Sequence, residues 1–268
     1  MKKGLGLPLF LLSILGIGCS EKHKAEKLEV SGGTTTITYF KNDSVWMAAD
    51  SRLSTYSNEI NTTVFDTVCK LRKAGNIFYL VSGSLVRYGV NGVKTFDASQ
   101  LFFDMATKDN NVSTLLPTYD TYVSDTLLKI ANHIKAEDKS LYARLFEDDH
   151  LLQVTAVTFA GNAAQLSSYK YYIPDSKADT LQLLRSTLNQ SQLRKLPTLL
   201  IAGSQDSIRG FLATHPKFYA SGLRPDKKLD SMIKMEAVAK PLNVALPVDM
   251  VLIYKDGSKW IRQQAKCK

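Results

Sequence analysis

The sequence predicts an α+β fold whose sheets are covered by helices on their outer faces. Three observations lead there. Short β-branched and aromatic runs come in pairs separated by turn residues, and helical periodicity is confined to two blocks between such pairs. The order is two hairpins, helices, strands, helices and a last hairpin, unlike the strand–helix alternation of a doubly wound parallel sheet. A length of 268 residues suits one large domain, and 44% hydrophobic with 22% charged residues suits a soluble globular core.

The first hairpin joins Thr34 to Phe40 with Ser44 to Ala49 through the turn Asn42-Asp43. The second joins Lys70 to Lys73 with Ile77 to Val81 through Ala74-Gly75-Asn76. Helical signals follow at Ala98 to Ala106 and at Asp120 to Ala136. In the latter, Tyr122, Leu127, Leu128, Ile130, Ala131 and Ile134 form one apolar face. Strands return at Leu152 to Phe159, Ala164 to Tyr172 and Thr198 to Ala202, the last leading through Gly203-Ser204 into a helix. A further helix fits Lys227 to Ala239, stopped by Pro241. Met250 to Tyr254 and Lys259 to Arg262 close the chain as a hairpin around Asp256-Gly257.

Residues 1–18 read as a secretory signal peptide. Met1-Lys2-Lys3 is a basic start, and Leu5 to Gly18 is apolar apart from Ser13, too short to span a bilayer comfortably. The run Leu15-Gly16-Ile17-Gly18-Cys19 resembles a lipobox, in which the Cys19 thiol takes a lipid and becomes the mature terminus. Leu in place of Gly16 would match that pattern better, which keeps a plain secretory signal as the other reading. The expected location is the bacterial periplasm or cell envelope, with a membrane anchor through lipid on Cys19. Residues 19–33 read as a tether or propeptide: Ser20 to Val30 is charged and without apolar period, and Ser31-Gly32-Gly33 is a flexible break. Residues 34–268 form the domain.

The formal net charge of +9 lies partly in Lys2 and Lys3, and the remaining basic residues are scattered among acids. With no basic helix or aromatic–basic stripe, no nucleic-acid partner is expected, although the surface suits anionic lipid. His23, His133, His150 and His215 lack metal-ligand spacing, and Glu147-Asp148-Asp149-His150 reads as an exposed acidic turn. No Gly-rich phosphate loop or Ser nucleophile elbow is present, so no cofactor is expected. Beyond Cys19 only Cys69 and Cys267 remain. A single bridge between them is open in an oxidising periplasm. Nothing in the sequence places them together, and inert or buried thiols are the expectation.

The chemistry-bearing residues cluster early. Gly33-Thr34-Thr35-Thr36-Ile37-Thr38 is followed by Ala48-Ala49-Asp50-Ser51-Arg52, then by Thr67-Val68-Cys69-Lys70-Leu71 and Val81-Ser82-Gly83-Ser84, with Gly203-Ser204 much later. This series resembles the proteasome β-subunit branch of the N-terminal-nucleophile (Ntn) hydrolases, with the Thr34 to Asp50 spacing matched without a gap. The resemblance covers Gly33 to Ser84; beyond that it is one of strand order plus Gly203-Ser204. It implies a four-layer αββα sandwich of the Ntn-hydrolase type, with the Thr34 strand paired beside the Lys70 strand. It also leaves room for assembly into a homo-oligomer.

The resemblance implies a role for each residue. Thr34 is the nucleophile, and its own α-amine, freed by cutting Gly33–Thr34, is the base, with an ordinary pKa of roughly 8. Lys70 favours the alkoxide-like state of Thr34, and Asp50 holds the Lys70 ammonium. The Gly83 N–H stabilises the oxyanion, and Ser204 hydrogen-bonds the new amine. The substrate is then a peptide or other amide. Read singly, the Thr run is an edge strand, Asp50 to Arg52 a turn with an ion pair, and Lys70 a solvated strand residue. Two departures stand against the family pattern. Lys240-Pro241-Leu242-Asn243-Val244-Ala245-Leu246-Pro247-Val248-Asp249 lacks the family's helper Asp and Ser-Gly-Gly, though its Pro-Val-Asp resembles bacterial relatives, and the Arg52 to Lys70 segment is several residues longer. They point to the alternative, a catalytically silent, lipid-anchored protein with a binding or assembly role.

Overall fold

The computed structural model describes residues 29–41, 44–57, 63–65, 68–83, 86–88, 94–146, 150–160, 163–190, 198–218 and 221–267. The leader, Cys19 and most of the acidic turn at 147–150 lie outside them. In chain order the elements are strands Glu29–Gly32 (β1), Thr35–Lys41 (β2), Ser44–Ala49 (β3), Leu53–Ser57 (β4), Thr63–Phe65 (β5), Leu71–Ala74 (β6), Ile77–Gly83 (β7), Val86–Tyr88 (β8) and Lys94–Asp97 (β9). Helices Ala98–Ala106 (α1), Val112–Glu137 (α2) and Lys139–Phe146 (α3) follow. Then come strands His150–Ala160 (β10), Ala163–Tyr172 (β11), Leu184–Gln190 (β12) and Thr198–Gly203 (β13), and helices Asp206–Thr214 (α4) and Pro225–Ala239 (α5). Strands Asp249–Tyr254 (β14) and Gly257–Arg262 (β15) close the fold.

The fold is α+β, and its sheets are antiparallel. One sheet runs β13-β2-β3-β14-β15, a second β12-β11-β10-β7-β6, and a third β5-β4-β1-β8-β9. Side-chain alternation sorts the cores. In β7, Ile77, Tyr79 and Val81 join a cluster with Phe102, Tyr119, Val123 and Leu127 of α1 and α2. Phe78 and Leu80, on the other face of the same strand, join Val45, Met47, Val251 and Ile253 of the first sheet. Ile37, Tyr39 and Met250 of the first sheet pack on Leu229, Met232 and Ile233 of α5. Burying each such side chain contributes about 1.5–3 kcal/mol.

Both expected early hairpins form, as β2–β3 and β6–β7, and so does the last, β14–β15. The two leading strands do not pair with each other. Both edges of β2 are taken, by β3 and β13, and β6 lies at the edge of the second sheet. Lys70 therefore reaches Gly33, the residue before Thr34, from another sheet and not along a shared one.

Other boundaries also moved. Helix α2 begins at Val112, well before Asp120, with the Asn111 side chain accepting from the Ser113 N–H and Pro117 inside the helix. A helix-interior proline costs about 3 kcal/mol, which the buried Leu115, Leu116 and Tyr119 around it offset. The expected tether and flexible break is ordered from Glu29, where β1 is the middle strand of the third sheet, between β4 and β8.

The expectation of separate thiols is overturned. Cys69 and Cys267 form a disulfide with Cα atoms 5.4 Å apart, 198 residues apart in sequence. The bridge ties the C-terminal end to the residue just before Lys70. Closing so long a loop restricts the unfolded chain by up to about 5 kcal/mol on the chain-entropy account. Replacing both cysteines with serine should accordingly lower the urea midpoint. An unchanged midpoint would mean that the bridge contributes nothing to stability.

Candidate active site

The hairpin register sets the first part of the site. Ala49 at the end of β3 stands opposite Thr36, so Asp50 comes next to Thr35. The Asp50 N–H donates to the Thr35 carbonyl at 3.2 Å, and the Thr35 N–H returns a bond to Asp50 Oδ1 at 2.7 Å. Asp50 Oδ2 accepts from the Arg52 N–H at 2.9 Å and the Ala245 N–H at 3.3 Å. Lys70, immediately ahead of β6, crosses from the second sheet. Its Nζ donates to Asp50 Oδ1 at 3.0 Å, to Asp50 Oδ2 at 3.1 Å and to the Gly33 carbonyl at 2.9 Å. The Lys70 and Asp50 side chains have no exposed surface. Burial pushes the Asp50 carboxyl up and the Lys70 ammonium down, and the attraction between the two opposes both shifts.

Thr34 lies on the joint between β1 and β2. It is 1% exposed, and its Oγ has no hydrogen-bond partner among the described residues. Strand β13 runs beside it, with Gly203 opposite Thr35, the Ser204 N–H bonded to the Thr34 carbonyl at 2.6 Å and Thr35 Oγ bonded to the Ser204 carbonyl at 2.7 Å. Gly203 has φ +78°, and a Cβ there would stand 2.0 Å from the Thr34 carbonyl oxygen, so no other residue fits without moving Thr34. Gly83 ends β7 at φ +102°, where a Cβ would meet the Leu151 carbonyl at 2.2 Å.

A cavity of about 640 Å³ is lined by Gly33, Thr34, Gly83 and Ser204 together. Thus Thr34, Gly33, Asp50, Lys70, Gly83 and Ser204 converge, although the Gly33 carbonyl takes its hydrogen bond from Lys70 and no backbone bond joins it to Gly83 among the described residues.

Ser204 Oγ donates to Glu236 Oε1 at 2.9 Å, and Glu236 Oε2 accepts from the N–H groups of Ser207 and Ile208 at 3.1 and 3.3 Å. Glu236 is fully buried and had no place in the sequence reading. The signal was present: Leu229, Met232, Ile233 and Glu236 lie on one buried stripe of α5, so the carboxylate faces inward. The segment that lacks the helper Asp and Ser-Gly-Gly supplies other contacts. Asn243 backs Gly33 and accepts from Tyr56 Oη at 2.7 Å, and Ala245 bonds Asp50 and Ser51. No group of three or more His, Cys, Asp or Glu is placed to hold a metal among the described residues.

The arrangement can polarise the Gly33 carbonyl with a buried cation while an uncommitted hydroxyl waits on the next residue. Lys70→Ala would strand the buried Asp50 carboxylate, and denaturant titration should show a loss of about 3–5 kcal/mol. Gly203→Ala should lose more than about 1 kcal/mol from its left-handed backbone alone. No protein-family model matches the chain, and no curated protein is similar to it at a significant level.

Proposed function

We propose that the chain is an exported threonine-type Ntn hydrolase, similar to proteasome β subunits, that cleaves peptide or other amide bonds after cutting itself at Gly33–Thr34. The observation that carries this reading is the Lys70 ammonium, paired with Asp50 and 2.9 Å from the carbonyl oxygen of Gly33, next to a Thr34 hydroxyl that has no partner among the described residues. The finer fold reading, a four-layer αββα sandwich, is supported by three stacked apolar clusters: α1–α3 against the second sheet, the second sheet against the first, and the first against α4 and α5. The Cys69–Cys267 bridge supports export, because disulfides persist in oxidising compartments.

The proposed self-cleavage is an acyl shift. Thr34 Oγ attacks the Gly33 carbonyl carbon, and the negative charge that develops on the oxygen is met by the Lys70 ammonium. The C–N bond breaks, the nitrogen takes up the proton given up by the hydroxyl, and Gly33 is left as an ester on Thr34 Oγ. Water hydrolyses the ester to a Gly33 carboxylate and a free hydroxyl. The new Thr34 amine, with an ordinary pKa of roughly 8, then serves as base toward substrate. Asp50 opposes the loss of charge that burial favours at Lys70, Gly83 is assigned the substrate oxyanion, and Ser204, steadied by Glu236, the amine. Strand β1 lies extended between β4 and β8 up to the bond, as a peptide substrate would.

Intact mass tests the reading. Wild type should lose residues 1–33, Thr34→Ala should stay whole with amide hydrolysis down by about 10³-fold or more, and Thr34→Ser should keep part of both. An uncut wild type, inert toward amides and threonine-directed electrophiles, would shift the reading to a silent lipid-anchored protein. Lipidation is separate: fatty-acid label should enter wild type and not Cys19→Ala, and equal labelling of both would remove the anchor while leaving secretion. Where both events occur, cleavage frees the domain from its lipid.

A further inference from the structure

The cavity that Thr34 lines is basic. Arg144, Lys170, Arg209 and Lys240 contribute to its wall, and its acidic lining residue among those described, Asp206, is engaged by Lys240. A second cavity of about 330 Å³ adjoins it through Lys170, Gly203, Gln205 and Arg209, and no acidic residue lines it among those described. Lys170 and Arg209 make no ion pair within the described chain.

Both sit on firm elements. Lys170 is in the interior of β11, paired with Gln153 on one side and Ser186 on the other, and Arg209 is on α4, whose start is held by Glu236. They share both cavities with Gln205 and with Gly203, whose backbone abuts the Thr34 carbonyl. An anion seated on these two cations therefore lies in the same cavity as the nucleophile. Basic walls with low-dielectric surroundings concentrate anions, and a guanidinium takes a carboxylate in two parallel hydrogen bonds.

We propose that the site takes amide substrates bearing a carboxylate on a residue flanking the scissile bond, with Lys170 and Arg209 receiving that carboxylate. The substrate class rests on the hydrolase reading above; the anion site does not.

The test uses two panels of fluorogenic peptide amides that differ only in Glu, Gln or Lys, placed in one panel before the bond and in the other after it. Wild type should favour Glu over Gln by about ten-fold in kcat/KM in at least one panel, and which panel responds identifies the side. The preference should shrink as salt rises from about 0.05 M to about 0.5 M. Lys170→Ala/Arg209→Ala should erase it while the Gln substrate keeps its rate within about three-fold. A second arm measures binding of the Glu and Gln peptides to the full-length Thr34→Ala chain by calorimetry, with and without the two alanine changes. Hydrolysis without preference for Glu, unchanged by the variants, overturns the anion site and leaves the hydrolase. Glu-selective binding through Lys170 and Arg209 in a chain inert to every amide keeps the anion site and removes the hydrolase. Neither binding nor hydrolysis overturns both.

Discussion

Lys70 and Asp50 form a buried ion pair on which the rest of the site depends. Each charge alone would cost several kcal/mol to bury, and the pair is tolerated because its hydrogen-bonding capacity is filled. Asp50 accepts from Thr35, Arg52, Ala245 and Lys70, and the third direction of the Lys70 ammonium goes to the Gly33 carbonyl. One contact thereby joins the first sheet, the second sheet, the C-terminal segment and the residue before Thr34. The Cys69–Cys267 bridge sits one residue away and restrains the backbone that delivers the lysine.

A second constraint is close backbone approach. Thr34 is flanked by β13 at a distance only glycine permits, and the Ser204 N–H holds the Thr34 carbonyl from that side. The carboxylate of Glu236 then serves two ends, taking the Ser204 hydroxyl and capping the N-terminus of α4, where free N–H groups and the helix dipole favour negative charge. A single buried acid thus couples the site to the helix that carries Arg209. Pairs held this way have little freedom, which is the condition for a hydroxyl and a carbonyl on adjacent residues to keep their geometry.

Legibility in the sequence followed locality. The hairpins β2–β3, β6–β7 and β14–β15, the helix α1 and most of α5 were readable, because turn residues and side-chain period act over a few neighbours. Thr34, Asp50 and Lys70 stood out only through their resemblance to a known family's pattern along those same hairpins; read singly, they suggest an edge strand, a turn and a solvated residue. Strand β1 was not, since a four-residue strand with one apolar side chain carries no period and is held by partners far along the chain. Helix α3 was missed for a related reason: it is short and starts where the Asp138 side chain accepts from Leu141, directly after α2 ends.

What the sequence determined by itself was the α+β class, the register that sets Asp50 against Thr35, and the residue types that meet around Thr34. Tertiary structure decided what period and spacing cannot encode. It put Lys70 on a different sheet from Thr34, closed Cys69 on Cys267, turned Glu236 toward Ser204, and brought Lys170 and Arg209 into the cavity that Thr34 lines. The physical reason is common to all four. Each contact joins elements that are remote in the chain, and their meeting is set by how whole apolar faces stack, a property of the assembled layers and not of any local run of residues.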